Sequence, residues 1–140
     1  MKLLLDTCVL SELVKAEPDA QVLRWFQASK AYELWVSAMT LAELHRGVNR
    51  MPPSKRQSEL AVWLISLEIG FEERVLAFDS KAAKVWAVMT SEAEAQGKSM
   101  SAFDSIIAAT ARANGCKLVT RNVKDFNRAG IEVIDPWLKK

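Results

Sequence analysis

The chain has few of the residues that mark disulfide-stapled, fibrous or disordered proteins. Its 140 residues include two Cys, one His, five Gly and four Pro, while 50% of them are hydrophobic. Low Gly and Pro with a large hydrophobic fraction exclude a collagen-like or disordered chain and indicate an ordered globular protein. Cys8 and Cys116 lack the C-x-x-C spacing and the neighbouring His of a metal knuckle. We therefore expect two free, buried thiols in a reducing compartment.

Long hydrophobic runs are also missing. No run approaches the ~20 residues that a bilayer-spanning helix needs, and Leu3-Leu4-Leu5 is too short for a signal peptide. The net charge of +2 is compatible with a nucleic-acid substrate without indicating one. No internal repeat or linker divides the sequence. We expect a soluble cytoplasmic protein in which residues 1–140 form a single domain.

The hydrophobic pattern alternates between short strands and helices. The predicted strands cover residues 2–6, 33–37, 74–78, 117–120 and 131–134. The predicted helices cover residues 9–15, 19–29, 40–50, 54–69, 79–96 and 101–114. Asp79 is expected to cap the fifth helix, and Gly97 and Gly115 to end the last two. This alternation predicts a three-layer α/β/α sandwich with a central parallel sheet of about five strands.

Four carboxylates stand among core-type residues: Asp6, Glu43, Asp104 and Asp125. A carboxylate in such surroundings must be paired, hydrogen-bonded or metal-bound, because burying a free charge is costly. Asp6 ends a predicted strand, and Asp125 follows the strand that ends at Thr120. Glu43 and Asp104 lie in the first turns of predicted helices. Parallel sheets form their sites at the carboxyl ends of strands, so we expect the four acids to meet on one rim.

Each acid also has a purely structural interpretation. Asp6 would cap the helix that follows it, and Asp125 would be a turn residue. Residues 40–43 (TLAE) and 101–104 (SAFD) match the capping box, in which the acid reaches back to the first amide. These roles explain the acids one by one, but not why all four take positions that can share a rim.

Convergence of the acids would restrict the chemistry. Carboxylates close together raise one another's pKa and cannot all stay ionised without a cation. Oxygen donors without His or Cys indicate Mg²⁺ or Mn²⁺ and disfavour zinc, and such clusters support phosphoryl chemistry. The lone His45 has polar neighbours on its helix and is expected on the surface.

The order, spacing and apolar setting of these acids resemble the PIN domain, specifically the VapC-type toxin ribonucleases of bacterial and archaeal toxin–antitoxin pairs. The resemblance spans essentially the whole chain. It rests on residues 5–13 (LDTCVLSEL), 36–44 (VSAMTLAEL), 104–111 (DSIIAATA) and 118–126 (LVTRNVKDF).

The resemblance implies an endoribonuclease that depends on Mg²⁺ or Mn²⁺ and hydrolyses RNA phosphodiester bonds with metal-activated water. It implies that four acids form the catalytic metal centre: Asp6, Glu43, Asp104 and Asp125. It implies that three more residues line the site and hold water or phosphate: Thr7, Thr120 and Asn122. The family's first motif commonly reads Asp-Thr-Asn, and Cys8 here replaces the Asn.

The resemblance also implies partners. These are a second copy of the chain, in a homodimer or a dimer of toxin–antitoxin heterodimers, and a cognate VapB-type antitoxin through which alone the complex contacts DNA. Such an antitoxin inserts a segment into a groove near the acids. Apolar residues on the two helices around Met51 either line this groove or pack in the core: Leu44, Val48, Leu60, Trp63 and Leu64.

Three other functions compete with this one. A receiver-type phosphotransfer domain needs adjacent acids after its first strand and a Lys after a late strand, whereas Asp6 stands alone and Lys117 begins its strand. An Asp-x-Asp phosphatase fails at Cys8. A catalytically weak PIN-like binding module, acting in an antitoxin-linked, DNA-bound regulatory complex, stays open because fold does not dictate activity.

Overall fold

A parallel sheet forms the centre of the protein. The structure is a computed structural model that describes residues 1–127 and 129–138. Within these residues the sheet has five strands: β1 (Leu3–Leu5), β2 (Leu34–Ser37), β3 (Val75–Leu76), β4 (Lys117–Val119) and β5 (Val133–Ile134). Their order is β3-β2-β1-β4-β5, and every neighbouring pair is parallel. The predicted parallel sheet of about five strands is confirmed. Each strand is shorter than predicted, and β3 and β5 keep only two residues each.

Helices cover both faces of this sheet. The seven α-helices of the described residues are α1 (Thr7–Leu13), α2 (Ala20–Ala28), α3 (Ala38–Arg50), α4 (Lys55–Phe71), α5 (Ser80–Ala95), α6 (Ala102–Ala113) and α7 (Val123–Phe126). The Asp79 side chain accepts a hydrogen bond from the Ala82 amide at 3.0 Å and caps α5, as predicted. Gly97 and Gly115 follow α5 and α6 with φ of 69° and 66°, in the left-handed region that ends helices.

Three helices differ from the prediction. Helix α1 spans Thr7–Leu13 and not residues 9–15, because Asp6 is its N-cap. Helix α3 begins at Ala38, not at Thr40, because the Ser37 side chain caps it and accepts from the Thr40 amide at 3.0 Å. Helix α7 was not predicted, since its four residues are too few for helical periodicity to register. All three differences fall in segments that carry candidate site residues.

Side chains from the strands alternate between two hydrophobic clusters. Leu3 and Leu5 belong to one cluster, which also contains Leu64 of α4. Leu4 points to the opposite face and belongs to a second cluster with Ile107 of α6. These two cores confirm the predicted α/β/α sandwich. No helix in the described part of the chain is both long and apolar enough to cross a membrane.

The strand order places a topological switch point beside β1. The chain builds outward from β1 through β2 to β3, then returns to the other side of β1 with β4 and β5. Leu5 of β1 pairs with Val119 of β4, so the residues that follow, Asp6 and Thr120, leave the sheet side by side. Open parallel sheets bind ligands at this kind of point.

Candidate metal centre

Asp6 is a buried carboxylate at the carboxyl end of β1, with only 4% of its surface exposed. Its Oδ1 accepts a hydrogen bond from the Thr7 amide at 2.8 Å. Its Oδ2 accepts from the Thr120 hydroxyl at 2.7 Å and from the Cys8 thiol at 3.6 Å. Asp6 is the N-cap residue of α1, which confirms the capping role. This role occupies Oδ1 and leaves Oδ2 facing β4.

Thr120 is held so that its hydroxyl hydrogen points to Asp6. The side chain is fully buried, and its Oγ1 accepts from the Asn122 amide at 3.1 Å. The Asn122 residue is exposed, and its backbone rather than its side chain makes this contact. The sheet edge therefore supplies Asp6 with a fixed donor from a residue 114 positions away.

Glu43 reaches the same region from the second turn of α3. Its Oε1 accepts from the Thr7 hydroxyl at 2.7 Å, which ties α3 to the start of α1. The predicted capping box over residues 40–43 is wrong, because Ser37 occupies the N-cap and Glu43 lies six residues beyond it. Glu43 is half-buried and faces α1 instead of its own helix end.

Asp104 and Asp125 form a more open part of the centre. Asp104 is the third residue of α6, and its amide donates to Ser101 Oγ at 3.3 Å, so the cap predicted for residues 101–104 is partly realised. Asp125 is exposed on α7, not in a turn. Both carboxylates line a polar cavity of about 320 Å³, beside Lys124 and Ser101.

The four acids share one electrostatic environment. Burial raises the pKa of Asp6, Glu43 and Asp104, and it is the largest cause in each case. The charge of Asp125 raises the pKa of Asp6 further. The charges of Asp6 and Asp104 raise the pKa of Glu43. The charges of Asp6 and Asp125 raise the pKa of Asp104. Hydrogen bonds from Thr120 and Thr7 oppose these shifts only in part.

The donor set fits a hard divalent cation. Carboxylate oxygens are the ligands that Mg²⁺ and Mn²⁺ prefer, whereas burial raises the pKa of the Cys8 thiol and keeps it protonated. In residues 1–127 and 129–138, no three acid, His or Cys side chains are close enough to enclose an ion. Mg²⁺ usually keeps several waters and takes one or two carboxylates, so a loose group of acids that repel one another suits it.

A hydrophobic groove adjoins the Glu43 side of the centre. Helices α1, α3 and α4 enclose a cavity of about 250 Å³ that Thr7 and Glu43 also line. Val48, Leu60 and Trp63 line this groove, and Val48 and Trp63 also pack against the hydrophobic core, so both interpretations hold for these two residues. Leu44 also borders it but is buried in the core, and Leu64 belongs to the core alone.

The sequence predicted the position of His45 correctly but did not identify three polar residues near the acids. His45 is exposed on α3 and pairs with Glu68 of α4, so it is a surface residue as predicted. The hydroxyls of Ser37 and Thr40 were missed, because the contact of Thr40 with Thr7 of α1 depends on the tertiary fold and Ser37 contacts Thr40. Lys124 was also missed, although its position next to Asp125 was a usable signal.

Comparisons with known proteins agree with this architecture. The family model described as PIN domain matches residues 3–132. The chain is 41% identical to the VapC ribonuclease Y4jK of Sinorhizobium fredii, over 96% of this chain and 97% of that protein. It is 35% identical to Toxin FitB of Neisseria gonorrhoeae, over 96% of this chain and 98% of that protein.

A solved structure extends the likeness to three dimensions. In the structure of FitAB bound to an IR36 DNA fragment, one chain matches with a TM-score of 0.94 and 32% identity, covering 99% of this chain and 97% of that one. Sequence and fold thus match the same group of proteins over nearly the full length. The chain belongs to the PIN-domain family and, within it, to the VapC-type proteins.

Proposed function

We propose that this chain is a metal-dependent endoribonuclease toxin, which hydrolyses RNA phosphodiester bonds and is neutralised by a cognate VapB-type antitoxin. The observation that carries the proposal is the Asp6 carboxylate, buried at the switch point with Glu43, Asp104 and Asp125 within range of its charge. A relative of 41% identity bears the name VapC ribonuclease, and another bears the name toxin.

Asp6, Glu43, Asp104 and Asp125 would hold Mg²⁺ or Mn²⁺, directly or through water. Such an ion, when bound, activates a water molecule and stabilises charge on the phosphate and the leaving oxygen. The protein's own contribution is orientation. Thr120 holds Asp6, and Thr7 holds Glu43, each through a hydrogen bond of 2.7 Å. Thr7 therefore orients an acid in our proposal, and its hydroxyl hydrogen is not free for phosphate.

The hydrophobic groove between α1, α3 and α4 is our candidate for the antitoxin contact. Its apolar lining suits one side of an inserted segment, and Glu43 in that lining suits a cationic side chain. FitB is called a toxin, and FitAB was solved bound to DNA. We propose that this chain contacts DNA only through its antitoxin. We propose further that the 1–140 chain is one PIN domain and acts in the cytoplasm as a homodimer or a dimer of heterodimers.

The competing function is a binding module with little catalytic power, which acts within a DNA-bound regulatory complex. The DNA-bound FitAB structure gives this alternative its support. Under it, the acids would serve the fold or the partner contact, and their removal would leave any toxicity intact.

Expression of the chain without antitoxin separates the two functions. We expect growth arrest with the wild type and no arrest with Asp104→Asn, because a site carboxylate is lost. Glu94→Gln is the control, since it removes one negative charge from an exposed position on α5. Purified wild type should cleave RNA when Mg²⁺ or Mn²⁺ is added. Uncut RNA, or arrest that persists in Asp104→Asn, would favour the binding module.

A further inference from the structure

A chain of hydroxyl groups connects the end of β2 to Glu43. Ser37 Oγ lies 3.1 Å from Thr40 Oγ1, and Thr40 Oγ1 lies 3.2 Å from Thr7 Oγ1. Thr7 Oγ1 lies 2.7 Å from Glu43 Oε1. Ser37 and Thr40 are completely buried, so water does not compete for the contact between them. Buried polar groups arranged in series point to a role beyond filling the core.

Glu43 is the strongest acceptor of this chain. A carboxylate accepts but does not donate, so the Thr7 hydroxyl donates to Glu43 Oε1 at 2.7 Å. Thr7 shares the same hydrogen with Thr40 Oγ1 in the longer contact of 3.2 Å. Thr40 Oγ1 also accepts from the Ser37 hydroxyl, and the Ser37 oxygen accepts from the Thr40 amide at 3.0 Å. Thr40 is thereby held by Ser37, and its oxygen keeps the Thr7 hydroxyl beside Glu43.

We propose that Ser37 and Thr40 are positioning residues, which fix the Glu43 carboxylate at the metal centre through the hydroxyl of Thr7. This inference rests on the proposed function, because it assumes that Glu43 serves the cation site. The chain restricts a carboxylate that would otherwise be free to take other rotamers on α3. It also joins three elements, because Thr7 begins α1, Ser37 ends β2, and Thr40 and Glu43 lie on α3.

Side-chain partners of metal ligands have a measurable effect in general. Their removal costs about 10- to 100-fold in metal affinity or activity, because the ligand loses its fixed orientation. Thr40 acts through one intermediate hydroxyl. We therefore expect its removal to fall near the lower end of that range, at about 10-fold.

The test uses Thr40→Val, which keeps the β-branched shape and removes the hydroxyl. Mn²⁺ affinity of the metal-free protein, measured by calorimetry, should fall about 10-fold. With RNA, kcat should fall while KM stays close to wild type, since Thr40 does not touch substrate. Thr40→Ser should restore both values. Thr110→Val is the matched control, because the buried Thr110 hydroxyl donates only to the Ile106 carbonyl of its own helix.

A double-mutant cycle separates positioning from a general loss of structure. In a Glu43→Gln background, Thr40→Val should not weaken Mn²⁺ binding further. Ser37→Ala provides a second variant if Thr40→Val does not fold, and it should weaken Mn²⁺ binding in the same direction. If Thr40→Val and Ser37→Ala both keep the wild-type Mn²⁺ affinity and kcat, the positioning role is overturned. The proposed function would not be affected by that result. A wild type that binds no Mn²⁺ and cuts no RNA would overturn the proposed function itself, and this inference with it.

Discussion

The two halves of the acid centre are built differently. Asp6 and Glu43 each accept a 2.7 Å hydrogen bond from a threonine hydroxyl, and both threonines are anchored by further bonds. Asp104 and Asp125 sit near helix starts and line an open polar cavity, with Asp125 exposed. We call the first pair the anchored half and the second pair the open half.

The fold determines the geometry of the anchored half, whereas a bound cation must determine that of the open half. The anchored half owes its geometry to the sheet, since β1 and β4 leave Asp6 beside Thr120 whether or not a cation is present. The open half carries the same charge with fewer restraints. Repulsion among the four acids then keeps the site from closing, and a cation would remove that repulsion. The carboxylates of the anchored half therefore keep fixed positions in the site.

The largest effect is expected from the anchored half itself. Asp6→Asn should lower RNase activity by more than ~100-fold, the upper end for residues that only support ligands. The fold should survive, because an amide oxygen can still accept from the Thr7 amide. RNA cleavage and circular dichroism of the variant provide the measurement. Retained activity in Asp6→Asn would show that the anchored half is not the centre of the chemistry.

A smaller effect is expected when the anchor is removed but the acid is kept. Thr120→Val takes away the 2.7 Å donor of a buried carboxylate, so Mn²⁺ affinity should fall about 10- to 100-fold. The metal-free protein should also lose about 1–3 kcal/mol of unfolding free energy, the usual cost of an unsatisfied buried group. Calorimetric titration and urea unfolding check the two values. An affinity equal to that of Thr110→Val would contradict the distinction between the halves.

The open half should tolerate substitution better at its exposed acid. Asp125→Asn is expected to lower Mn²⁺ affinity by less than ~10-fold, below the usual effect of a supporting residue. The reason is that Asp125 is exposed and can be replaced by a water ligand of the ion. Calorimetry beside the Glu94→Gln control measures the effect. A loss as large as that of Asp6→Asn would mean that the two halves are equivalent.

The smallest effect concerns stability without metal. Burial raises the pKa of Asp6 in the folded protein, so the folded state binds a proton more readily than the unfolded state does. The charged Asp6 therefore destabilises the fold above its raised pKa. This penalty disappears as pH falls through that pKa toward the ordinary value of about 4.

The comparison with Asp6→Asn isolates this pH effect. Without metal, the variant should gain most in unfolding free energy over wild type at neutral pH, and the gain should shrink as the solution becomes acidic. Saturating Mg²⁺ should reverse the order at neutral pH, because the ion binds the wild type. Urea unfolding from neutral to acidic pH gives both curves. A gain that grows on acidification would contradict the sign.

Local sequence signals were enough to predict the layers of the fold and to select the four acids as candidates. Strands such as Leu3–Leu5 and caps such as Asp79 are set by residues within a few positions, so periodicity and capping rules identify them. The positions of Asp6 and Glu43 after strands predicted a shared rim. Strand order was not predictable in this way, since it depends on how distant segments pair.

The supporting contacts of the site were beyond local rules. Thr120 reaches Asp6 across 114 positions, and Thr7 reaches Glu43 across 36. The capping-box motif at residues 40–43 was misleading, because Ser37 competes for the same helix start and also ends a strand. Hydroxyl side chains fit many roles, and their partners become apparent only when the sheet has assembled.

Titration of the metal-free protein with Mn²⁺ distinguishes a divalent-cation site from acids that serve only the fold. We expect saturable binding to the wild type and to Glu94→Gln. Binding should be more than about 100-fold weaker in Asp6→Asn, and clearly weaker in Asp104→Asn. Absence of saturable binding in the wild type, or equal binding in all four proteins, would contradict the claim that these acids form a divalent-cation site.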